Sequence, residues 1–108
     1  SNPMRIEVLY FEGCPSQELL LPRLRTLVSE IRPDARVDVR RVESPEGAEA
    51  ECFLGSPTVR VDGADVEPGA EGRSDFGLKC RLFRTEEGSS PTPPDEWLRA
   101  ALAQAGAG

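Results

Sequence analysis

The feature that most narrows the fold is a change of hydrophobic period at a single cysteine. Upstream of it, Arg5 to Phe11 alternates, with Ile6, Val8 and Tyr10 on one face and Leu9 and Phe11 on the other. Apolar residues on both faces mark a central strand. Downstream, Leu20, Leu24, Leu27, Val28 and Ile31 recur at helical steps and give one buried stripe. Pro15 suits the first helical turn, where its missing N–H is no loss. Pro22 falls inside the helix and is expected to kink it, and Arg32-Pro33-Asp34 ends it. Between strand and helix stands Glu12-Gly13-Cys14-Pro15. Backbone N–H groups there lack intrahelical partners, and the helix dipole favours negative charge. The thiolate is the reactive form of cysteine, so Cys14 is the candidate nucleophile.

The rest of the chain continues the alternation of strands and helices. Arg36 to Val42 reads as a second strand, with Val37 and Val39 facing one way. Ser44 is a candidate N-cap for a short helix from Pro45 to Leu54, stopped by Gly55. Ser56-Pro57-Thr58-Val59-Arg60-Val61 reads as a third strand with proline at its start. Asp62-Gly63 is a turn signal, and a polar stretch to about Gly77 reads as a solvated loop, with a binding edge shaped by Asp65, Glu67, Glu71 and Asp75 as the alternative. Leu78 to Thr85 reads as the fourth strand, with Leu78, Cys80 and Leu82 in alternation. In an alternative register the strand begins at once after the turn, near Asp65-Val66, and Leu78–Thr85 becomes an added element. Thr92 is a candidate N-cap for a last helix that begins at Pro93 and buries Trp97, Leu98, Ala101 and Leu102. The order is β-α-β-α-β-β-α, an α/β fold. Residues 1–3 read as an expression scar, 4–104 as a single domain and 105–108 as a frayed tail.

Charge and composition exclude several functions. A net charge of −6 in 108 residues argues against a nucleic-acid partner and against an anionic membrane, since both need a basic face. No apolar run is long enough to cross a bilayer, and a cytoplasmic location is the expectation. The absence of histidine removes Ser–His and Cys–His catalysis and the commonest zinc ligand sets. Three cysteines, Cys14, Cys52 and Cys80, are too few for a disulfide framework.

Three short motifs carry a resemblance to the thioredoxin/glutaredoxin superfamily. Gly13-Cys14-Pro15 resembles the start of the redox motif, Gly55-Ser56-Pro57-Thr58 the cis-proline loop, and Pro22 the proline of the active-site helix. Together with Asp75-Phe76 and Cys80-Arg81-Leu82-Phe83-Arg84, the pattern is similar to small bacterial thioredoxin-like proteins, some labelled alkylmercury lyase. The resemblance implies a thioredoxin-like fold, with a four-stranded mixed sheet and helices on both faces, and thiol–disulfide chemistry, with Cys14 catalytic and Ser56, Pro57 and Thr58 binding substrate around a cis peptide bond. Ser16 and Gln17 would add hydrogen bonds to the sulfur. Gln17 occupies the place of the second cysteine of dithiol members, so Cys14 has no local partner. The expectation is a monothiol thiol–disulfide oxidoreductase that needs no cofactor or metal, with glutathione or a protein thiol or disulfide as partner. A non-catalytic binding module and a soft-metal or organomercurial handling protein are the alternatives.

Magnitudes temper the reactivity of Cys14. A thiol of pKa ~8.5 is about 3% ionised at pH 7. A helix terminus contributes about 0.3–1 kcal/mol, and Glu12 and Glu18 oppose it. The X–Pro base rate of ~5–6% cis favours a trans Pro57; the resemblance reverses that expectation. Cys52 and Cys80 are the candidate resolving thiols. Cys52 reads more simply as a small buried apolar residue. In the fourth-strand register Cys80 lies on the order of 16 Å from the Pro57 edge and serves packing. If Leu78–Thr85 instead folds over that edge, Cys80 becomes the better partner for Cys14.

Overall fold

The computed structural model describes residues 3–104. Most of the expected scar (residues 1 and 2) and the whole expected tail, 105–108, lie outside the described residues.

Strand β1 (Arg5–Tyr10) is central, as its two apolar faces require. It pairs in parallel with β2 (Arg36–Arg41), Ile6 opposite Val37 and Val8 opposite Val39. On its other side it pairs antiparallel with β3 (Thr58–Val61), Val8 opposite Val59 and Leu9 opposite Thr58. Strand β4 is only Ala64–Asp65 and closes the sheet in the order β2-β1-β3-β4. The β3–β4 hairpin turns on Asp62-Gly63, both at positive φ (49° and 88°). Asp-Gly suits such a two-residue turn, because both central residues must adopt left-handed backbone.

Two layers of helix cover the sheet. Helix α1 (Ser16–Ile31) runs through Pro22 and buries Leu20, Leu24, Leu27 and Val28. These pack with Ile6, Val8, Val59 and Val61, and with Leu98 and Leu102 of α3 (Asp95–Ala103). On the opposite face Leu9 packs with Val42, Phe53 and Ala48 of α2 (Pro45–Ala50). A four-stranded mixed sheet with helices on both faces is therefore present.

Four sequence expectations are corrected. The fourth strand of the sheet is not Leu78–Thr85 but Ala64–Asp65, the alternative register. Only Phe83–Thr85 of the expected segment is a strand, β5, and it pairs with β6 (Gly88–Ser90) in a separate hairpin. The polar stretch after Gly63 is not loose: it holds β4, a short 3-10 turn (Ala70–Gly72) and the buried Val66 and Ala70.

The second helix ends at Ala50, four residues before Leu54, because Cys52 takes a left-handed φ of 54°. The Phe53 N–H then reaches the Ala48 carbonyl at 2.8 Å and the Cys52 N–H that of Glu49 at 3.2 Å. This is a Schellman ending with cysteine where glycine is usual. The last helix starts at Asp95, not Pro93. Pro93 precedes another proline, which disfavours helical backbone for it.

Candidate functional site

The Glu12-Gly13 turn brings the chain from β1 to the head of α1. The Cys14 N–H returns to the Phe11 carbonyl at 3.0 Å. Pro15 is the N-cap residue, and no side chain caps the helix. Cys14 is buried, 1% exposed, with its Sγ 3.8 Å from the Ser56 carbonyl oxygen. The Ser56–Pro57 peptide is cis. The head of the first helix and the start of the third strand thus meet at one sulfur.

That sulfur is bonded. Cys14 and Cys80, 66 residues apart, form a disulfide with Cα atoms 5.6 Å apart, inside the normal span. The expected 16 Å separation and packing role for Cys80 are overturned, because residues 79–81 do not continue the sheet. They lie across the start of β3 instead. The Ser56 N–H donates to the Lys79 carbonyl at 2.8 Å, and the Arg81 N–H to the Ser56 carbonyl at 3.0 Å. Ser56 and Cys80 form a parallel bridge.

The segment seats through alternation of the opposite phase to the one read from the sequence. Cys80, Leu82 and Arg84 are exposed; Arg81 and Phe83 are buried. Burial of a guanidinium requires compensating partners, and Arg81 has them. It binds Asp65 through two parallel bonds of 2.9 Å, Glu67 at 3.0 Å and the Thr58 hydroxyl at 3.0 Å. Its guanidinium carbon also lies 4.5 Å from the centre of the Phe83 ring. Only its Nε is without a partner.

Gly55 makes the close approach possible. It has φ +121°, and a Cβ there would lie 2.9 Å from the Arg81 Cβ and 3.1 Å from the Lys79 carbonyl oxygen. A third anchor is Lys79, whose ammonium reaches Asp75 at 3.1 Å. Arg73 also binds Asp75, at 2.7 Å, and its hydrogen bonds, followed by that of Lys79, hold the Asp75 carboxyl well below the usual range.

The other expected site residues fall as follows. The Ser16 hydroxyl donates to Cys14 Sγ at 3.4 Å, since a disulfide sulfur has no proton to give. Gln17 is half-buried, and its Oε1 is buried without a partner. The Ser56 hydroxyl accepts the Phe11 N–H at 3.0 Å. Thr58 is fully buried, its hydroxyl donating to the Gly55 carbonyl at 2.7 Å. Pro57 is fully buried. Ser56, Pro57 and Thr58 are therefore covered by the chain's own residues 79–81.

Cys52 is corrected from buried to exposed: it is a free thiol at the left-handed end of α2. It lines a cleft of about 430 Å³ with Arg60, Glu71, Arg73 and Phe76, and neither Cys14 nor Cys80 lines that cleft. Trp97, expected in the core, is half-buried and meets the buried Phe83 edge-on, ring centres 6.3 Å apart.

The sequence reading missed Arg81 and Gly55 as builders of the site, and it offered Asp65 and Glu67 as carboxylates of a binding edge rather than as the partners of a buried arginine. The available signal was the spacing Asp65-Val66-Glu67, which puts two carboxylates on one side of an extended chain. Glu12, expected to oppose a thiolate, is ion-paired with Arg41 at 2.9 Å. Among the described residues no group of three or more side chains is arranged to hold a metal, and no helix is long and apolar enough to cross a membrane. No family model and no curated protein matches the chain.

Proposed function

We propose that the chain is a thioredoxin-like thiol–disulfide oxidoreductase whose redox pair is Cys14 and Cys80. The observation that carries this reading is the disulfide itself, closed at the head of α1 against a cis Ser56–Pro57 peptide. The sheet order β2-β1-β3-β4, with β1 parallel to β2 and antiparallel to β3, supports the thioredoxin-like part. The single-thiol version gives way to a two-sulfur one, in which Cys80 supplies from residues 79–81 what Gln17 does not. Two thiols of a partner, glutathione or a protein, lose two electrons and two protons to become a disulfide while Cys14–Cys80 becomes a dithiol; the reverse oxidises the protein.

The competing role for such a bond is a structural staple. Glutathione redox buffers separate the two, because structural disulfides resist that pool and exchanging ones titrate against it. The folded protein is equilibrated in buffers of graded reduced-to-oxidised glutathione, quenched in acid, and its thiols are counted by mass. Exchange predicts one reversible two-electron transition, absent from Cys14→Ser and Cys80→Ser. A bond that stays closed in millimolar reduced glutathione while circular dichroism reports an intact fold refutes the proposal.

A further inference from the structure

The two sulfurs of the pair are not equivalent. Cys14 is 1% exposed, with Ser16 Oγ 3.4 Å and the Ser56 carbonyl oxygen 3.8 Å from its Sγ. Cys80 is an exposed residue, as is Leu82 two positions on. Displacement at a disulfide sulfur proceeds with the incoming thiolate opposite the leaving one. Attack on Cys80 Sγ therefore approaches from the side away from Cys14. Attack on Cys14 Sγ requires a path through the surroundings of a buried residue. Access and the stability of the departing thiolate together select the sulfur that reacts.

Departure favours the same choice. When Cys80 is attacked, the electron pair leaves on Cys14 Sγ. That atom sits at the head of a 16-residue helix, where N–H groups lack intrahelical partners and the dipole favours an anion. The Ser16 hydroxyl is already directed at it. Cys80 has no helix terminus of its own, since residues 79–82 belong to no helix.

We infer that Cys80, on the covering segment, is the residue that exchanges with the partner, and that Cys14 is the buried leaving and resolving thiol. This rests on the exchange reading above and inverts the order of roles expected from the sequence. In the reductive direction a partner thiolate bonds to Cys80 Sγ, the Sγ–Sγ bond breaks, and Cys14 departs as thiolate. A second partner thiolate then attacks the partner's sulfur in the mixed disulfide, releasing a partner disulfide and the Cys80 thiolate. In the oxidative direction the Cys80 thiolate opens a partner disulfide and expels one partner thiolate. The Cys14 thiolate then displaces the other from Cys80. The segment stays seated throughout, because Arg81 and the Ser56 backbone hold it independently of the sulfurs.

The test uses the full chain with Cys52→Ser, which removes the free thiol. Oxidised protein is mixed with excess reduced glutathione and acid-quenched at successive times, and the glutathione adduct is located by peptide mass spectrometry. In parallel, the reaction rate with a dipyridyl disulfide is measured for Cys80 alone (Cys14→Ser) and Cys14 alone (Cys80→Ser), each checked for fold by circular dichroism. The adduct is expected on Cys80, and the Cys80 rate to exceed the Cys14 rate at least roughly tenfold, from access. An adduct on Cys14, or a Cys14 rate equal to or above that of Cys80, overturns the assignment and leaves exchange standing. No adduct on either residue, with Cys14–Cys80 still closed, overturns both.

Discussion

Arg81 is the residue on which the geometry of the sulfur pair turns, and its removal has a calculable cost. Arg81→Ala deletes a buried guanidinium and leaves Asp65, whose side chain is 15% exposed, without its cation, while Glu67 keeps its ion pair with Arg73 at 3.0 Å. Removing one partner of a buried pair costs about 3–5 kcal/mol, because the remaining charge stays desolvated. Asp65 keeps some contact with water and the hydrogen bond from the Glu67 N–H at 2.9 Å, which places the expected loss near the lower end, about 3 kcal/mol. For a domain of this size that lowers the melting temperature by roughly 12–24 °C. Urea unfolding of oxidised protein, followed by far-ultraviolet circular dichroism, measures it directly. Arg81→Leu combined with Asp65→Leu should recover most of the loss, since replacing a buried pair by apolar side chains orphans no charge and is often nearly neutral. Arg81→Ala should also raise the reduction potential of Cys14–Cys80, by roughly 30 mV for each 1.4 kcal/mol by which freeing residues 79–81 favours the dithiol over the disulfide. A stability loss below about 1 kcal/mol, the value of an exposed pair, would refute the reasoning.

Gly55→Ala should cost about 1–3 kcal/mol from its φ of +121°. It should also leave Cys14–Cys80 more easily reduced, because the new methyl group meets the Lys79 carbonyl; an unchanged glutathione titration would contradict this. Non-reduced native protein should titrate as one thiol, Cys52, and reduced denatured protein as three; three before reduction would remove the disulfide from the account. Asp75→Asn should destabilise by less than about 1 kcal/mol, since the carboxylate is half exposed. Asp75 is held below its ordinary 3.8 by Arg73 first and then Lys79. Its contribution is therefore complete above that value and lost as pH falls below it. Denaturation curves at pH 7 and pH 3 should show the gap between wild type and variant narrowing in acid. Reduction of the disulfide should lower stability by about 4 kcal/mol through the 66-residue span it closes, read as a shift of the urea midpoint.

What was legible in the sequence was what local periodicity and turn chemistry encode. The two-faced Arg5–Tyr10 strand, the leucine stripe of α1, the Ser44 cap bonded to the Gly47 N–H at 2.9 Å and the Asp62-Gly63 turn all stand where the residues put them. Strand β4 was nearly invisible because two residues carry no period. Leu78–Thr85 misled because its alternation is real but inverted. A reading by hydrophobicity turns Leu78, Cys80 and Leu82 inward and Arg81 outward. The structure buries Arg81 because two carboxylates, 16 and 14 residues earlier, wait for it. No window of neighbouring residues contains that information, and the Cys14–Cys80 contact depends on it.

The distance between the sulfurs along the chain gives the pair a property that a local pair would lack. Closing a 66-residue span removes far more freedom from the unfolded chain than closing a few residues does. By linkage, whatever the disulfide contributes to the fold, the fold contributes to the disulfide. About 4 kcal/mol is equivalent to roughly 90 mV on a two-electron couple, so folding draws the pair toward oxidation. In the proposed dithiol state, Arg81, the Ser56 ladder and the Lys79–Asp75 pair, none of which involves a sulfur, are expected to keep residues 79–81 against the start of β3. These anchors set how far Cys80 strays from Cys14 once the bond opens. In the proposed exchange, control therefore lies in polar contacts that touch neither sulfur, and above all in one arginine adjacent to the exposed cysteine.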